Sequence, residues 1–391
     1  MNGTVILKRK EELRLLKGHL WIFSNEIFSI DGSPENGDLV NVYDSRNNLL
    51  GCGFFNKNSL IAVRMISAEP VDNMYSLIKG RLHSAFSYRK SVYPLRNSFR
   101  MVFSESDFLP GLIIDKFNDT YVIQINSFGM EKHIEPVAEI LKTEYGAKNI
   151  FTKNEANFRT MEGLPVEDFL LFGEKGEEVI DDGKLKYKID FNNSQKTGLF
   201  FDQSDNRYFI EMLSEGKNVL DGFCNSGGFG LHALSGNAAS VDFVDSSESE
   251  IKAVENNYQL NQFETDSNLI QSDMFEFLQD KTDSDKRYDL VMIDPPAFIK
   301  GKKNLHTGIK GYEKLNRLAL KIVEKGGFFV TSSCSHHLTR DLFLDIIINS
   351  AQKSGRSIIK VYENGASLDH PVHPAMPETS YLKFFVFRVV D

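Results

Sequence analysis

The last two hundred residues repeat one rhythm, and it restricts the fold more than any other feature of the chain. An apolar run ends on a polar or glycine-rich turn and passes into a helical pattern: NVLDGF then CNSGGFGLHAL, VDFVDSS then SEIKAVENNYQLN, LIQSD then FEFLQD, YDLVMID then PP, GGFFVTSS then CSHHL. Strands alternating with helices at this spacing predict βαβ units and a parallel sheet covered on both faces. Ligands of such sheets bind outside the carboxyl ends of the strands, where the unusual residues of this chain fall.

The first of these strands ends at Asp221 and enters Gly222-Phe223-Cys224-Asn225-Ser226-Gly227-Gly228 at a helix start. Glycines let the backbone approach a ligand closely, and a helix N-terminus favours a negative group such as a carboxylate. Asp245 closes the second strand 24 residues after Asp221, near the separation of about 20 at which an acidic side chain takes a cofactor's ribose hydroxyls. Asp273 closes the third strand and Asp294 the fourth. Aspartate is also a good helix N-cap, which accounts for one or two of the four. It does not account for Asp294-Pro295-Pro296-Ala297-Phe298, because a double proline after an apolar strand removes donors and stiffens the loop. A rigid loop with a carboxylate at one end and an aromatic ring at the other can bond the edge of a planar base and stack on its face.

The fifth strand ends in Ser333-Cys334-Ser335-His336-His337. A thiol at a strand's carboxyl end, at a helix start and near histidines, is placed to be a nucleophilic thiolate. Cys52 and Cys224 read equally well as small apolar core residues. His336 and His337 have no third ligand beside them, so no metal is expected. Upstream of the first strand, the segment Gln195-Lys196-Thr197-Gly198-Leu199-Phe200-Phe201-Asp202-Gln203-Ser204-Asp205-Asn206-Arg207 has the polar density of a pocket lip.

Residues 1–70 read as a small β-rich module with strands TVILK, GDLVNVYDS, LLGCGFF and LIAVRMIS and turns at Gly37-Asp38 and Asn47-Asn48. Residues 71–185 read as a middle α+β domain: a helix from about Asn73 to Lys90, a hairpin across Asn118-Asp119, a helix over MEKHIEPVAEILKTEY and the strand KNIFTKN. Residues 186–391 form the parallel-sheet domain. A composition of 41% hydrophobic and 25% charged residues excludes disorder, collagen and coiled coil. Three scattered cysteines with no CxxC spacing disfavour a disulfide framework and a structural zinc site. No apolar run of signal or membrane length occurs, so a cytoplasmic protein is expected.

Taken in order, QKTGLFFDQSDNR, VLDGFCNSGGFGLHAL, VDSS with its following helix, DLVMIDPPAF, SSCSHH and DHPVHPAMPETSYLKFF resemble the bacterial 23S ribosomal RNA cytosine-C5 methyltransferases that carry an N-terminal PUA domain. KGHLWIFSNEI, GDLVNVYD and FNKNSLIAVRMIS resemble that family's PUA module, and SESDFLPGLIIDKF the opening of its middle domain. The resemblance implies a Rossmann-like class I methyltransferase domain, S-adenosylmethionine as cofactor and ribosomal RNA as partner, either naked 23S rRNA or an assembling large subunit. It involves neither metal nor membrane and is compatible with a homodimer. It implies that Asp221, Gly222, Phe223, Gly227 and Gly228 face the methionine end, Asp245 the ribose, and Asp273 with Met274 the adenine. Asp202, Gln203, Arg207, Ser246 and Asp294 complete the cofactor set. A glycine turn lacking the three-glycine pyrophosphate cradle agrees, since this cofactor has a carboxylate and no phosphates.

Within that resemblance Cys334 and Asp294 are the catalytic pair. The thiolate adds to carbon 6 of cytosine, and Asp294 bonds the N3/N4 edge while carbon 5 takes the methyl group. Pro295 and Phe298 shape the site of the flipped base. The loop after the fourth strand holds no cysteine, which leaves Cys334 as the candidate nucleophile. The same DPPxF loop resembles that of enzymes methylating guanine or adenine nitrogens, which need no cysteine. An RNA-binding or assembly factor that holds S-adenosylmethionine without turnover is the alternative from another class, and a small-molecule methyltransferase a weaker one. The modified nucleotide, the oligomeric state and the base that removes the carbon 5 proton stay open.

The net charge of −9 argues against coating nucleic acid by charge alone, but it averages over unlike parts. Residues 299–325 hold seven Lys and one Arg against two Glu, residues 81–100 hold five basic and no acidic residues, and residues 1–20 five basic against two acidic. The pattern predicts a protein that grips RNA at a few places and repels it elsewhere.

Overall fold

The computed structural model describes residues 3–174, 176–192, 197–284 and 286–391. The chain divides into two compact units, one of Met1–Gly183, Ile189–Leu199 and Leu368–Thr379, the other of Lys184–Lys188, Phe200–Ser367 and Ser380–Asp391. Gln195 and Lys196 of the expected pocket lip lie outside the described residues. Among the described residues, no helix is long and apolar enough to cross a membrane.

The first unit contains two sheets. The six-stranded one runs Trp21–Phe23, Ile61–Ser67, Leu49–Phe55, Leu39–Tyr43, Gly3–Leu7, Ile27–Gly32 in spatial order. Alternation builds it: Val40 and Val42 are buried between half-exposed Leu39, Asn41 and Tyr43, and join Val5, Leu7, Ile22, Phe55 and Val63 in one core. The predicted turn at Asn47-Asn48 forms, with Asn47 left-handed and the Asp44 carboxylate accepting from the amides of Arg46 and Asn48. The five-stranded sheet runs Phe169–Phe172, Asn149–Thr152, Thr120–Ile125, Leu112–Phe117, Ser98–Phe103, and its hairpin turns through left-handed Asn118 as the sequence indicates. The helix expected over residues 130–145 is observed as two, Phe128–Glu131 and Ile134–Tyr145. The strands Trp21–Phe23 and Ile27–Gly32 escape the sequence reading because the first is three residues long and the second mostly exposed.

The second unit carries the expected parallel sheet. We number its strands β1 (Asn218–Gly222), β2 (Ser240–Asp245), β3 (Ser267–Gln271), β4 (Tyr288–Ile293), β5 (Val323–Ser333), β6 (Ile358–Asn364) and β7 (Lys383–Val389). Its helices are α1 (Ser204–Leu213), α2 (Gly228–Ser235), α3 (Glu248–Leu260), α4 (Met274–Thr282), α5 (Leu305–Lys321) and α6 (Arg340–Ser354). The spatial order is β3-β2-β1-β4-β5-β7-β6, with β1 to β5 parallel and β7 antiparallel to both neighbours. Central strands buried on both faces read as continuous apolar runs, as in Leu290–Ile293. Register pairs Ile293 with Thr331 and Ser333 with Lys383. The carboxyl ends of β4 and β5 and the start of β7 therefore meet at one edge of the sheet.

Buried ion pairs tie the first unit together. Glu162, almost fully buried, accepts from Asn56 Nδ2 (2.9 Å), Ser59 Oγ (2.8 Å) and Arg64 Nη2 (3.1 Å), while Arg64 Nη1 reaches Glu105 (3.1 Å). Removing one member of a buried pair strands the other charge. Glu162→Ala is expected to cost about 3 kcal/mol in urea unfolding; a loss below about 1 kcal/mol would show the pair to be worth no more than a surface one.

Candidate functional site

The β1 turn has the shape its glycines predict. Phe223, Asn225 and Gly227 all take positive φ (61°, 47° and 86°). A non-glycine residue there carries about 1 kcal/mol or more of strain, which packing and hydrogen bonds must hold in place. Val244 O accepts from Cys224 N (3.1 Å) and Asp245 Oδ2 from Asn225 N (3.1 Å), stitching the turn to the end of β2. Asp221 Oδ2 accepts from Gly230 N at 2.7 Å, inside the start of α2. A Cβ on Gly222 would lie 2.9 Å from Met274 Sδ and from Ile293 Cδ1, so only glycine lets these strand ends close up.

The four strand-end aspartates do different things. Asp273 is exposed and caps α4, its Oδ1 accepting from Phe275 N (2.8 Å) and Glu276 N (3.2 Å). Asp245 is half-buried and holds the amides of Asn225 and Ser247, with Ser246 exposed beside it. Asp221 and Asp294 point inward and are electrostatically coupled. Burial pushes Asp221 up to about 7, the charges of Asp294 and Asp245 adding to it, against the Gly230 amide and the Arg207 cation. Burial likewise pushes Asp294 up to about 6, opposed by the Ser332 hydroxyl that bonds it and by Arg207.

Arg207, on α1, is only 6% exposed and its Nε has no hydrogen-bond partner in the protein. Its guanidinium lies flat on Gly228, where an added Cβ would come within 2.5 Å of Nε. The segment before α1 is pinned by the chain after β6: Asp202 O accepts from Ser367 N (2.8 Å), and Gly365 O from Asn206 Nδ2 (3.1 Å). Tyr381 OH donates to Asp202 Oδ2 (2.6 Å), and Gln203 Oε1 accepts from Asn206 Nδ2 (2.7 Å). A buried guanidinium with an unused donor, one buried and one half-buried carboxyl and a backbone cradle are complementary to an amino-acid zwitterion attached to a cationic sulfonium.

Cys334 is half-buried, whereas Cys52 and Cys224 are buried and their thiols pushed up by burial. Its two neighbours are clamped. Ser333 Oγ donates to Tyr312 OH (2.9 Å), Tyr312 OH and Ser335 Oγ share a hydrogen bond (3.0 Å), and Ser335 Oγ accepts from Ile299 N (3.2 Å), directly after Phe298. Lys383 Nζ donates to Ser335 O and to Tyr381 O, both at 2.7 Å. Burial pulls the Lys383 ammonium down to about 8, against the attraction of a Cys334 thiolate. Pro295 is buried, and Phe298 is half-buried against Phe275 and Tyr312, with centroids 6.2 and 4.8 Å away. The His336 ring lies beside that of Tyr381. No group of three or more His, Cys, Asp or Glu that could hold a metal occurs among the described residues.

The fold thus brings Asp221, Asp294, Arg207 and the Cys334 loop to the carboxyl edge of one sheet. Sequence reasoning missed Tyr312, Ser332, Ser335 and Lys383. Ser335 was visible as a flank of Cys334, Ser332 two positions before it, and Lys383 as a charge opening an apolar strand, but nothing local connected them.

This strand order with a glycine turn after β1 defines an S-adenosylmethionine-dependent methyltransferase fold, and residues 169–388 match the S-adenosylmethionine-dependent methyltransferase family. Residues 5–68 match the PUA-like domain. S-adenosylmethionine is accordingly the cofactor. The chain is 33% identical to the ribosomal RNA large subunit methyltransferase I of Tolumonas auensis over the full length of both, and 32% identical to that of Aeromonas hydrophila over 99% of this chain and 100% of the other. Among solved structures, an S-adenosylmethionine-dependent methyltransferase from Streptococcus mutans superposes with a TM-score of 0.85 at 20% identity, covering 99% of this chain and all of that one. A methyltransferase solved with S-adenosylhomocysteine superposes with a TM-score of 0.86 over the same shares. The chain belongs to the family of the ribosomal RNA large subunit methyltransferases I.

Asp221 and Asp294 bind protons more tightly folded than unfolded, so between about pH 4 and 7 the folded chain holds the extra protons and its stability falls as pH rises. Asp221→Asn removes one share of that fall while keeping an oxygen for the Gly230 amide. Thermal unfolding of the cofactor-free protein from about pH 4.5 to 7.5 should show a shallower decline for the variant; parallel curves would contradict the assignment.

Proposed function

We propose that the chain methylates large-subunit ribosomal RNA, as the names of its relatives state for them, and that the acceptor is carbon 5 of a cytosine activated by Cys334. The observation that carries the cytosine reading is the mounting of Cys334. Of three cysteines it alone is accessible, and Tyr312 and Lys383 hold its flanking residues beside the loop that begins at Asp294.

Carbon 5 of cytosine is a poor nucleophile. Attack of the Cys334 thiolate forms a sulfur bond to carbon 6 and shifts the π pair to carbon 5, making it enamine-like. The Lys383 ammonium places a cation where that thiolate gains from it. Asp294, raised to about 6 by burial, is more basic than an ordinary carboxylate and can share a proton with N3 and stabilise the charge that develops on the ring. Bound S-adenosylmethionine supplies the methyl group on a sulfonium. Loss of the carbon 5 proton then returns its electron pair to the ring and expels the Cys334 sulfur. Pro295 and Phe298, seated on Tyr312 and Phe275, shape the wall of the base site.

For the cofactor, Asp221 with the Gly222–Gly228 turn faces the methionine end and Arg207 its carboxylate. Asp245 and Ser246 serve the ribose, Asp273 and Met274 the adenine side, and Asp202, Gln203 and Asp294 the remaining wall. The buried, incompletely bonded guanidinium of Arg207 supports this, since a cation so placed gains most from a carboxylate.

Cys334→Ala is expected to lower methyl transfer to 23S rRNA by about 10³-fold or more and to abolish the covalent adduct with 5-fluorocytidine-substituted rRNA. Full activity in that variant would replace the cytosine reading with methylation of a purine nitrogen. Gly228→Ala displaces the flexible end of Arg207 without touching the core. Calorimetric titration should then show the S-adenosylmethionine Kd raised about tenfold, or 1.4 kcal/mol, with folding intact. An unchanged Kd would remove Arg207 from the cofactor site.

A further inference from the structure

Helix α5 follows the Asp294–Phe298 loop and has two opposite faces. Gly308, Tyr312, Leu315 and Ala319 form its buried line. Lys310, Lys314, Arg317 and Lys321 repeat the same three- and four-residue spacing two positions further on, which is about 200° around the helix. The cationic line is therefore diametrically opposite the core line and extends about 16 Å along the axis. Lys310, Lys314 and Arg317 line a groove of about 420 Å³ together with Lys353 of α6 and with Glu313, which pairs with Lys353.

This face is out of keeping with the rest of an acidic chain. Several surface cations elsewhere find carboxylates, as Lys79, Lys132, Lys252 and Lys286 do. Lys310, Arg317 and Lys321 form no ion pair with any described residue, and Lys314 rests on the Phe275 ring at 5.1 Å. Like charges one turn apart repel by a few tenths of a kcal/mol per pair. The one carboxylate lining the groove, Glu313, is paired with Lys353 and leaves the cations in excess, an excess that a polyanion would offset. The face is also continuous with the reaction centre: Phe275 stacks on Phe298, Gly311 underlies the Phe298 ring, and Tyr312 clamps the residues flanking Cys334.

We propose that the outer face of α5, with the groove it shares with α6, docks the sugar-phosphate backbone of the substrate RNA next to the target base. The inference rests on the ribosomal RNA reading above but not on the cysteine mechanism. One helix then performs two tasks, with its inner face fixing the Cys334 loop and its outer face gripping phosphates, so that RNA is held in register with the site by a single rigid element. Lysine and arginine serve here as point charges for phosphate, and binding should depend on charge rather than on sequence.

The test uses the full chain carrying Lys310→Gln, Arg317→Gln and Lys321→Gln together, and unmodified 23S rRNA as the probe. Binding measured from about 50 to 300 mM KCl should show a log–log salt slope shallower by about 2, since each lost phosphate contact removes about 0.7 to 0.9. The KM for rRNA should rise about tenfold or more while kcat and the S-adenosylmethionine Kd stay at parental values. The charge-preserving triple variant Lys310→Arg, Arg317→Lys, Lys321→Arg should keep the parental slope. An unchanged slope and KM in the glutamine variant, with the parent still methylating rRNA, overturns the docking face alone. Failure of the parent protein to methylate rRNA overturns the substrate reading on which it rests.

Discussion

The second unit is organised around a pair of carboxyls and a guanidinium that it draws largely out of water together. Asp221 and Asp294 end adjacent parallel strands, and Arg207 reaches them from the helix that precedes the sheet. Taking such groups out of water costs several kcal/mol each unless charge partners and hydrogen bonds compensate. Compensation here is partial: one amide on Asp221, one hydroxyl on Asp294, and none on Arg207 Nε. The protein responds by raising both carboxyls, to about 7 and about 6, so that less charge is buried in the absence of a ligand. A pocket in this condition is stabilised by a ligand that brings both a carboxylate and cations, and S-adenosylmethionine is such a ligand.

The Cys334 side of the sheet edge depends on α5 in a different way. Cys334 lies at the end of the longest strand of the sheet, where the backbone leaves the ladder and would otherwise fray. Tyr312, reaching out of the core from α5, bonds the serines on both sides of it, and Ser335 in turn takes the amide that follows the Asp294-to-Phe298 loop. Two loops that could move independently are thereby joined through one hydroxyl. The double proline removes two backbone donors from the first loop, so this side-chain link carries positioning that a ladder of amides would carry elsewhere.

In the first unit the corresponding role belongs to buried arginines. Arg89, fully buried, forks onto Asp107 and also donates to the carbonyls of Arg100 and Asp369, and Asp369 accepts the amide of Arg100 at 2.9 Å. His370 and His373, from the same late segment, pack on Phe103 and Phe108. The stretch Leu368–Thr379 consequently belongs to the unit formed by the beginning of the chain. Its DHPVHP sequence marks it as unusual without saying where it goes, because a hydrogen bond spanning 280 positions, from Arg89 to the Asp369 carbonyl, leaves no local periodicity.

Asp221, Asp294 and Cys334 were legible because each ends an apolar run, and the alternation of runs and helices is a property of neighbouring residues that survives without the fold. So were the glycine turn, the hairpin at Asn118 and the opposite charges of sheet edge and helix, all set by backbone preference or pattern over a few positions. The amino-acid sequence by itself therefore determined the parallel sheet, the strand ends at which its unusual residues fall and the cofactor class. Tertiary structure alone decided that Asp273 caps a helix while Asp294 is half-buried against Ser332, that Arg207 rests on Gly228, and that Lys383 stands beside a cysteine 49 residues away. The physical reason is that burial and charge coupling depend on which groups share a few ångströms of space, and sequence separation carries no record of that distance.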